Sequence, residues 1–305
     1  MQEGILVLLS SYNGEKYIKD QILSILNQEI DCKVDIRIRD DGSKDNTCEI
    51  VEELIVEYPE RIQLIRGENI GYNGSFFELI KGAEGYKYYS ISDQDDVWLK
   101  NKLQVAKAWL DKEKSDIPLL YASTSYLVYD DMKPYGNTRK KLREFSIYNT
   151  IIQNICPGHA QVFNNELLKL LQEDIDVSQI YVYDSWITNV AMLYGKILFN
   201  NESFTLYRQH QKNQLGYGKG VFGRLMSSMN RTKTNDGKKY RKQITYLYEK
   251  YKDKFMEIEA SKEIERFINS NRFVTRIGYL FFGKLHRQKR FETVAFYLAV
   301  CMGLI

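Results

Sequence analysis

The chain has 305 residues, 44% apolar and 27% charged, which is ordinary for a globular protein of one large or two modest domains. Its 43 Lys and Arg nearly balance 40 Asp and Glu, and the net charge of +3 argues against a general nucleic-acid binder. Four cysteines, Cys32, Cys48, Cys156 and Cys301, form no CxxC pair and no metal-ligand spacing, so they read as reduced thiols of a cytosolic protein.

The opening MQEGILVLLSSYNGEKY does not read as a signal peptide, because its apolar run is short and an acid precedes it. Residues 5–10, ILVLLS, form a continuous apolar run expected of a strand buried on both faces. Ile18, Ile22, Ile25 and Leu26 then fall at helical spacing. Residues 34–41 alternate Val34, Ile36 and Ile38 with charged residues, as a strand does, and Ser43 is placed to cap a helix reaching residue 57. Strands are expected at 62–66 and 87–92, with a helix at 75–83 between them. NKLQVAKAWLDK reads as a helix, 118–130 as a strand, and CPGHAQVFN as a turn into a short strand followed by a helix from Asn165. A helix at 183–195 and two short strands, KILFN and FTLYRQH, follow. After a flexible break at GYGKG, helices are expected at 237–258, 261–276 and 288–303. No window reaches the roughly 18 apolar residues of a membrane span.

Strand–helix alternation over the first hundred residues predicts a mostly parallel sheet flanked by helices. Ligands of such sheets bind beyond the carboxyl ends of the strands. Ser10, Tyr12 and Asn13 follow the first strand, Asp40 and Asp41 the second, and Asp93, Asp95 and Asp96 the fourth. If strand geometry continues past residue 92, Asp93 and Asp95 face one side and suit a hard cation such as Mg2+ or Mn2+. The dinucleotide glycine fingerprint and the phosphate-binding GxxxxGK[ST] loop are both absent.

Read in order, ILVLLSSYNGEKYI, IRDDGSKDNT, NIGYNGSFFELI, SDQDDVW, CPGHAQVFN, YDSW and YRQH resemble glycosyltransferase family 2, above all its bacterial rhamnosyltransferase-like members. The resemblance covers roughly residues 4–215. It implies a GT-A fold, with a Rossmann-like, mostly parallel central sheet flanked by helices and a C-terminal helical extension. It also implies inverting transfer of a sugar, rhamnose from dTDP-rhamnose or a hexose or N-acetylhexosamine from UDP, to an acceptor hydroxyl in cell-surface glycan assembly. Ser11, Tyr12 and Asp40 match positions that cradle base and ribose, and Ser10, Asn13, Asn73 and Asp93 complete the nucleotide set. Asp93 and Asp95 match the metal-binding acids, with DQDD leaving Asp95 and Asp96 as the other choice, and His210 as a further ligand. Asp184 matches the catalytic base. Asp96, Trp98, Gly158, His159, Trp186 and Arg208 are assigned to the donor-sugar or acceptor pocket. Trp186 reads equally as a core residue, and Arg208 equally as a phosphate partner or a surface strand charge.

The expected division is a catalytic domain over 1–215, with its nucleotide half at 1–100, and a basic helical extension over 216–305. KKYRKQ with Tyr240, Tyr246, Tyr248, Tyr251 and Phe255, and KLHRQKR at 284–290, suit an anionic membrane surface. The same helices would otherwise dimerise or pack on the catalytic domain. The resemblance implies a lipid-linked or polysaccharide acceptor and a place on the inner face of the cell membrane. Two other readings compete. A sugar nucleotidyltransferase should carry a glycine-rich basic loop where SSYNGEKY stands, and a non-catalytic sugar-binding relative should have lost Asp93, Asp95 or Asp184.

Overall fold

The structure, a computed structural model, describes residues 2–138, 140–209 and 236–305. It divides into two compact units, each assembled from separated stretches of chain. The first comprises Met1–Lys140, Cys156–Ile175 and Tyr194–His210; the second comprises Lys141–Ile155, Asp176–Leu193 and Gln211–Ile305.

The first unit holds one nine-stranded sheet. Its elements in chain order are β1 (Gln2–Ser11), α1 (Ile18–Leu26), β2 (Lys33–Asp40), α2 (Thr47–Glu57), β3 (Ile62–Arg66), α3 (Gly71–Lys81), β4 (Tyr86–Ser92), β5 (Val97–Trp98), α4 (Lys102–Leu110), β6 (Leu119–Val128) and β7 (Pro134–Asn137). After α5 (Ile147–Thr150), which belongs to the second unit, come β8 (Val162–Asn164) and α6 (Asn165–Leu171). α7 (Tyr183–Tyr194) precedes β9 (Lys196–Arg208). The strand order is β3-β2-β1-β4-β8-β6-β9-β5, with β7 paired to β6. β1 to β4 are mutually parallel, β6 runs parallel to β9, and β8 is antiparallel to both β4 and β6. The carboxyl ends of β1, β2, β3, β4, β6 and β9 therefore share one edge.

Ile5, Val7 and Leu9 of β1 enter an apolar cluster with Ile18, Ile22 and Ile25 of α1 and Val51 and Leu54 of α2. The intervening Leu6 and Leu8 are also buried, and α3 packs on β1. A strand covered on both faces has no solvent-facing positions to fill with polar residues, which explains its unbroken apolar run.

Four details depart from the sequence reading. KILFN and the FTLYR of the second expected strand lie in one strand, β9, which runs through the polar Asn200–Ser203 stretch with a register shift against β6 between Ser123 and Thr124. Ser43 caps no helix: α2 begins at Thr47, and the Ser43 hydroxyl is turned to Asp40. The helix expected over 261–276 is interrupted. The second unit instead carries α8 (Asp236–Lys250), α9 (Lys252–Met256), α10 (Ser261–Ile268), α11 (Phe273–Phe282) and α12 (Arg290–Cys301). The division into units also does not fall at residue 215, because Lys141–Ile155 and Asp176–Leu193 cluster with the C-terminal helices.

The first of the two basic, aromatic stretches is not a surface. Tyr248, Tyr251 and Phe255 are buried, Tyr246 stacks on Trp186, and the Tyr240 hydroxyl is hydrogen-bonded to Ser185. Its aromatic residues pack into the second unit, Arg241 turns inward to the Phe267 and Ile268 carbonyls, and Lys238, Lys239 and Lys242 are exposed. No helix among the described residues is long and apolar enough to cross a membrane.

Candidate active site

Three loops meet at the edge where the parallel strands end. The one after β1 is fastened to the one after β2 by reciprocal bonds. Asn13 N–H donates to Ser43 Oγ at 2.8 Å, Lys44 N–H donates to Asn13 Oδ1 at 2.9 Å, and Gly14 N–H donates to Thr47 Oγ1 at 2.8 Å. Asn13 takes a positive φ of 48° to do this, a conformation asparagine tolerates better than most residues.

Asp40, buried at the end of β2, accepts from Ser11 Oγ at 3.0 Å, from Ser43 N–H at 2.8 Å and from Ser43 Oγ at 2.5 Å. Burial, with Asp40 beside it, pushes the Cys48 thiol up to about 11, so it stays protonated. Asp40 thus fixes the rim from beneath. Its neighbour Asp41 accepts from Ile70 and Gly71 N–H, both at 2.9 Å, and so holds the start of α3. The paired acids of DDGS are two anchors for two loops. Asn73 lies in the first turn of α3, and Ser75 of that helix shares a 2.6 Å hydroxyl bond with Ser10.

The loop after β4 carries SDQDDVW. β4 ends at Ser92, so the alternation that would have set Asp93 beside Asp95 does not reach them. A chain turning after Ser92 instead brings Asp93 and Asp96 together with His159: one ligand atom from each lies within 4.8 Å of the others. It is the one such cluster of three among the described residues. Strand pairing brings the histidine near: β8 runs antiparallel to β4 with Ser90 opposite Val162, and Ile91 N–H donates to the Gln161 carbonyl, so the turn before β8 lies beside the loop after β4.

His159, in the turn Gly158–Ala160, is 2% exposed. Its Nε2 lies 2.9 Å from Ser125 Oγ, its ring stacks on Tyr207 at 4.3 Å, and its Nδ1 is 3.8 Å from Asp93 Oδ2. Burial, with Lys102 nearby, lowers its pKa to about 3, so the imidazole is neutral and its approach to Asp93 is not an ion pair. In the tautomer with Nε2–H donating to Ser125, the Nδ1 lone pair is the one on the Asp93 side. Asp96 is fully buried and is pushed well above the usual carboxylate range by that burial, then by Asp95 and Asp93. Its Oδ1 accepts the Arg208 N–H at 3.3 Å, and its Oδ2 has no hydrogen-bond partner among the described residues.

Lys102, also fully buried, donates to the His159 carbonyl at 2.9 Å and places its Nζ 3.1 Å over the Trp98 ring. Burial holds its pKa well below that of a free lysine. Trp98 is 3% exposed within the apolar cluster, so it covers Lys102 and lines no open pocket. Arg208 is buried rather than a surface strand charge: its Nε donates to the Asp95 carbonyl at 3.0 Å and its Nη1 to the Asp130 carbonyl at 2.9 Å. It shapes the acidic loop through the backbone.

Gln94, which the sequence reading passed over, ties the acidic loop to the first one. Tyr12 N–H donates to its Oε1 at 2.8 Å and its Nε2 donates back to the Tyr12 carbonyl at 3.0 Å, as a neighbouring strand would. A Cβ on Gly14 would meet Gln94 Oε1 at 2.3 Å, so the glycine is what admits the amide. The signal was present in YNG and DQDD, but only the fold sets them side by side.

Asp184 and Trp186 belong to the second unit. Asp184 sits in the first turn of α7, and its carbonyl accepts from Thr188 Oγ1 at 2.7 Å. Trp186 is fully buried against Tyr246 and Tyr251 and takes the core alternative. His210 lies outside the described residues.

The model of the family described as glycosyl transferase family 2 matches residues 6–171. The chain is 30% identical over 252 residues to the dTDP-rhamnosyl transferase RfbG of Shigella flexneri, covering 78% of this chain and 83% of that one. It is 32% identical over 118 residues to the minor teichoic acid biosynthesis protein GgaA of Bacillus subtilis, covering 37% of this chain and 26% of that one. Among solved structures it is similar to S. aureus TarS 1–349 in complex with UDP, at TM-score 0.60 and 17% identity over 100% of this chain and 81% of that one. It is also similar to a mannosyltransferase of Pyrobaculum calidifontis in complex with GDP-Man and Mn2+, at TM-score 0.54 and 16% identity over 99% and 76%.

Proposed function

The chain belongs to glycosyltransferase family 2, with the GT-A fold, and from that premise we propose that it moves a sugar, with inversion, from a nucleotide diphosphate to an acceptor hydroxyl of a growing or lipid-linked glycan. The observation that carries the reading is the convergence of Asp93, Asp96 and His159 beyond the carboxyl end of β4, beside the loops after β1 and β2. Rhamnose from dTDP-rhamnose is the donor best supported, by the Shigella relative.

Two carboxylates and a neutral imidazole suit Mn2+ somewhat better than Mg2+. The orphaned, buried Oδ2 of Asp96 is an acceptor such a cation would satisfy. Asp93, Asp96 and His159 would hold it, with Asp95 and His210 as the further ligands the family pattern suggests. When bound, the cation supplies positive charge where negative charge grows on the leaving diphosphate.

The protein's own residues do the rest. The Ser11–Tyr12–Asn13 loop, held in place by Asp40 and Gln94, receives the base and ribose. The acceptor oxygen attacks the anomeric carbon while its proton passes to the Asp184 carboxylate. The bond from that carbon to the diphosphate oxygen breaks, its electron pair leaves with the diphosphate, and no covalent enzyme intermediate is needed.

The test is a thermal-shift and turnover panel of dTDP-, UDP- and GDP-sugars with and without Mn2+. A shift that needs both nucleotide and metal, and that Asp93→Asn removes, supports the site. Asp184→Asn should keep that shift while slowing turnover about a hundredfold to ten-thousandfold. A donor-independent, metal-independent melting point would overturn the reading.

A further inference from the structure

In the second unit α11 and α12 pack on each other and on α10 through Tyr279, Tyr297, Phe296 and Phe267. What these helices turn outward is unusual. On α11 the solvent side is Phe273, Val274, Phe281 and Phe282, exposed by 64 to 78%, with the half-exposed Ile277 and Gly278 between them. At 100° per residue these positions fall on one side of the helix, opposite the buried Tyr279, and none is charged. On α12 the outward positions are Phe291, Val294, Leu298 and the following Met302, exposed by 49 to 63%, with Ala295 among them. They are spaced i, i+3, i+7, i+11, a single stripe. Each helix is therefore apolar on its solvent side, the reverse of an ordinary surface helix.

The ends of the pair are basic. Arg272 precedes α11, while Lys284, Lys289 and Arg290 lie at and after the turn between the helices, and all four are exposed. Over residues 272–305 the cations are Arg272, Arg276, Lys284, Arg287, Lys289 and Arg290, against the single acid Glu292. Glu292 accepts a 2.7 Å bond from Gln153. The charge decides between occupants. A second copy docking through the same patch would set these cations against themselves with almost no acid to balance them. A bilayer with anionic headgroups answers both the apolar stripes and the basic ends.

We propose that the outward faces of α11 and α12 dock on an anionic phospholipid bilayer, the aromatic side chains entering between headgroups and Arg272, Lys284, Lys289 and Arg290 engaging lipid phosphates. The inference deepens the reading of a lipid-linked acceptor. Its test involves no turnover, so either can fail without the other.

The full chain is floated with phosphatidylcholine vesicles and with vesicles that also contain phosphatidylglycerol. Binding is expected only to the second kind. Phe281→Ser with Phe282→Ser should lower partitioning about tenfold or more, and Lys284→Gln with Lys289→Gln about fivefold per charge, with circular dichroism unchanged. Independently of any loss variant, Phe281→Trp should gain fluorescence quenching by brominated acyl chains. Absence of wild-type binding to anionic vesicles overturns the proposal. So does binding that survives the double Phe substitution with no quenching at residue 281. A dimer seen by light scattering that the same double substitution dissolves, without vesicle binding, would assign the face to a second copy instead.

Discussion

Acid should weaken this protein through one buried ring. His159 carries a folded-state pKa of about 3 against an ordinary 6.5. Between those values the unfolded chain binds a proton that the folded chain refuses, so stability falls as pH drops through this window and is fully present above about pH 7. Each pH unit is worth about 1.4 kcal/mol, so going from pH 7 to pH 4.5 should remove about 2–3 kcal/mol through this group alone. The ring's surroundings give no means of escape: it is 2% exposed, stacked on Tyr207 and bonded to Ser125. Urea denaturation of wild type and His159→Gln at pH 7, 5.5 and 4.5 isolates the effect, since the other two histidines and all carboxylates are common to both chains. At pH 7 the wild type should be the more stable, because the variant loses packing and the Ser125 bond. At pH 4.5 that advantage should shrink by about 2–3 kcal/mol. Parallel stability curves across the range would refute the reasoning, because they would mean His159 accepts its proton without unfolding.

Three further outcomes follow from the geometry. Gln94→Ala removes two partly exposed hydrogen bonds and should cost about 1–2 kcal/mol in urea denaturation while weakening nucleotide binding by calorimetry. Gly14→Ala, which thrusts a methyl into the Gln94 amide, should reproduce that binding loss, and it should add little to Gln94→Ala in the double variant. Arg208→Met leaves the Asp95 and Asp130 carbonyls without their guanidinium donor and should cost about 2–4 kcal/mol, with donor affinity falling as the acidic loop loosens. Arg241→Met removes the donor shared by the Phe267, Ile268 and Ile305 carbonyls, and should lower the midpoint of thermal unfolding without altering the affinity for Mn2+.

The parallel half of the sheet was legible because burial on both faces leaves a mark in the residues themselves: ILVLLS cannot be anything but inside. The polar rim was legible for the same reason, since its residues begin where the apolar runs stop. What escaped was whatever depended on partners far away in the chain. Asp96 and His159 are 63 positions apart by numbering, and only the fold makes them neighbours. The pairing of Asp93 with Asp95 assumed a strand that ends one residue too early. Arg208 read equally as a phosphate partner or a surface strand charge, because nothing local says that a carbonyl from residue 95 will claim its guanidinium. The tyrosines of α8 looked like an interfacial face because Trp186, their partner, comes from another stretch of the chain.

The second unit has a consequence for how this chain can be cut and recombined. Its interior is woven from three lengths of sequence: Gln288 N–H donates to Gln153 Oε1 at 2.7 Å, and Gln243 Oε1 receives both Tyr181 and Val182 N–H at 2.9 Å. Gene fusions and truncations treat a C-terminal third as a detachable tail. Here a cut at residue 215 would strip Trp186 of its stacking rings and leave Gln153 Oε1 and the Tyr181 and Val182 N–H groups without these partners in the part that remains. A chimaera that exchanges the helical region must carry residues 141–155 and 176–193 along with it. The C-terminal helices and those two inserts can therefore change over evolutionary time only in step.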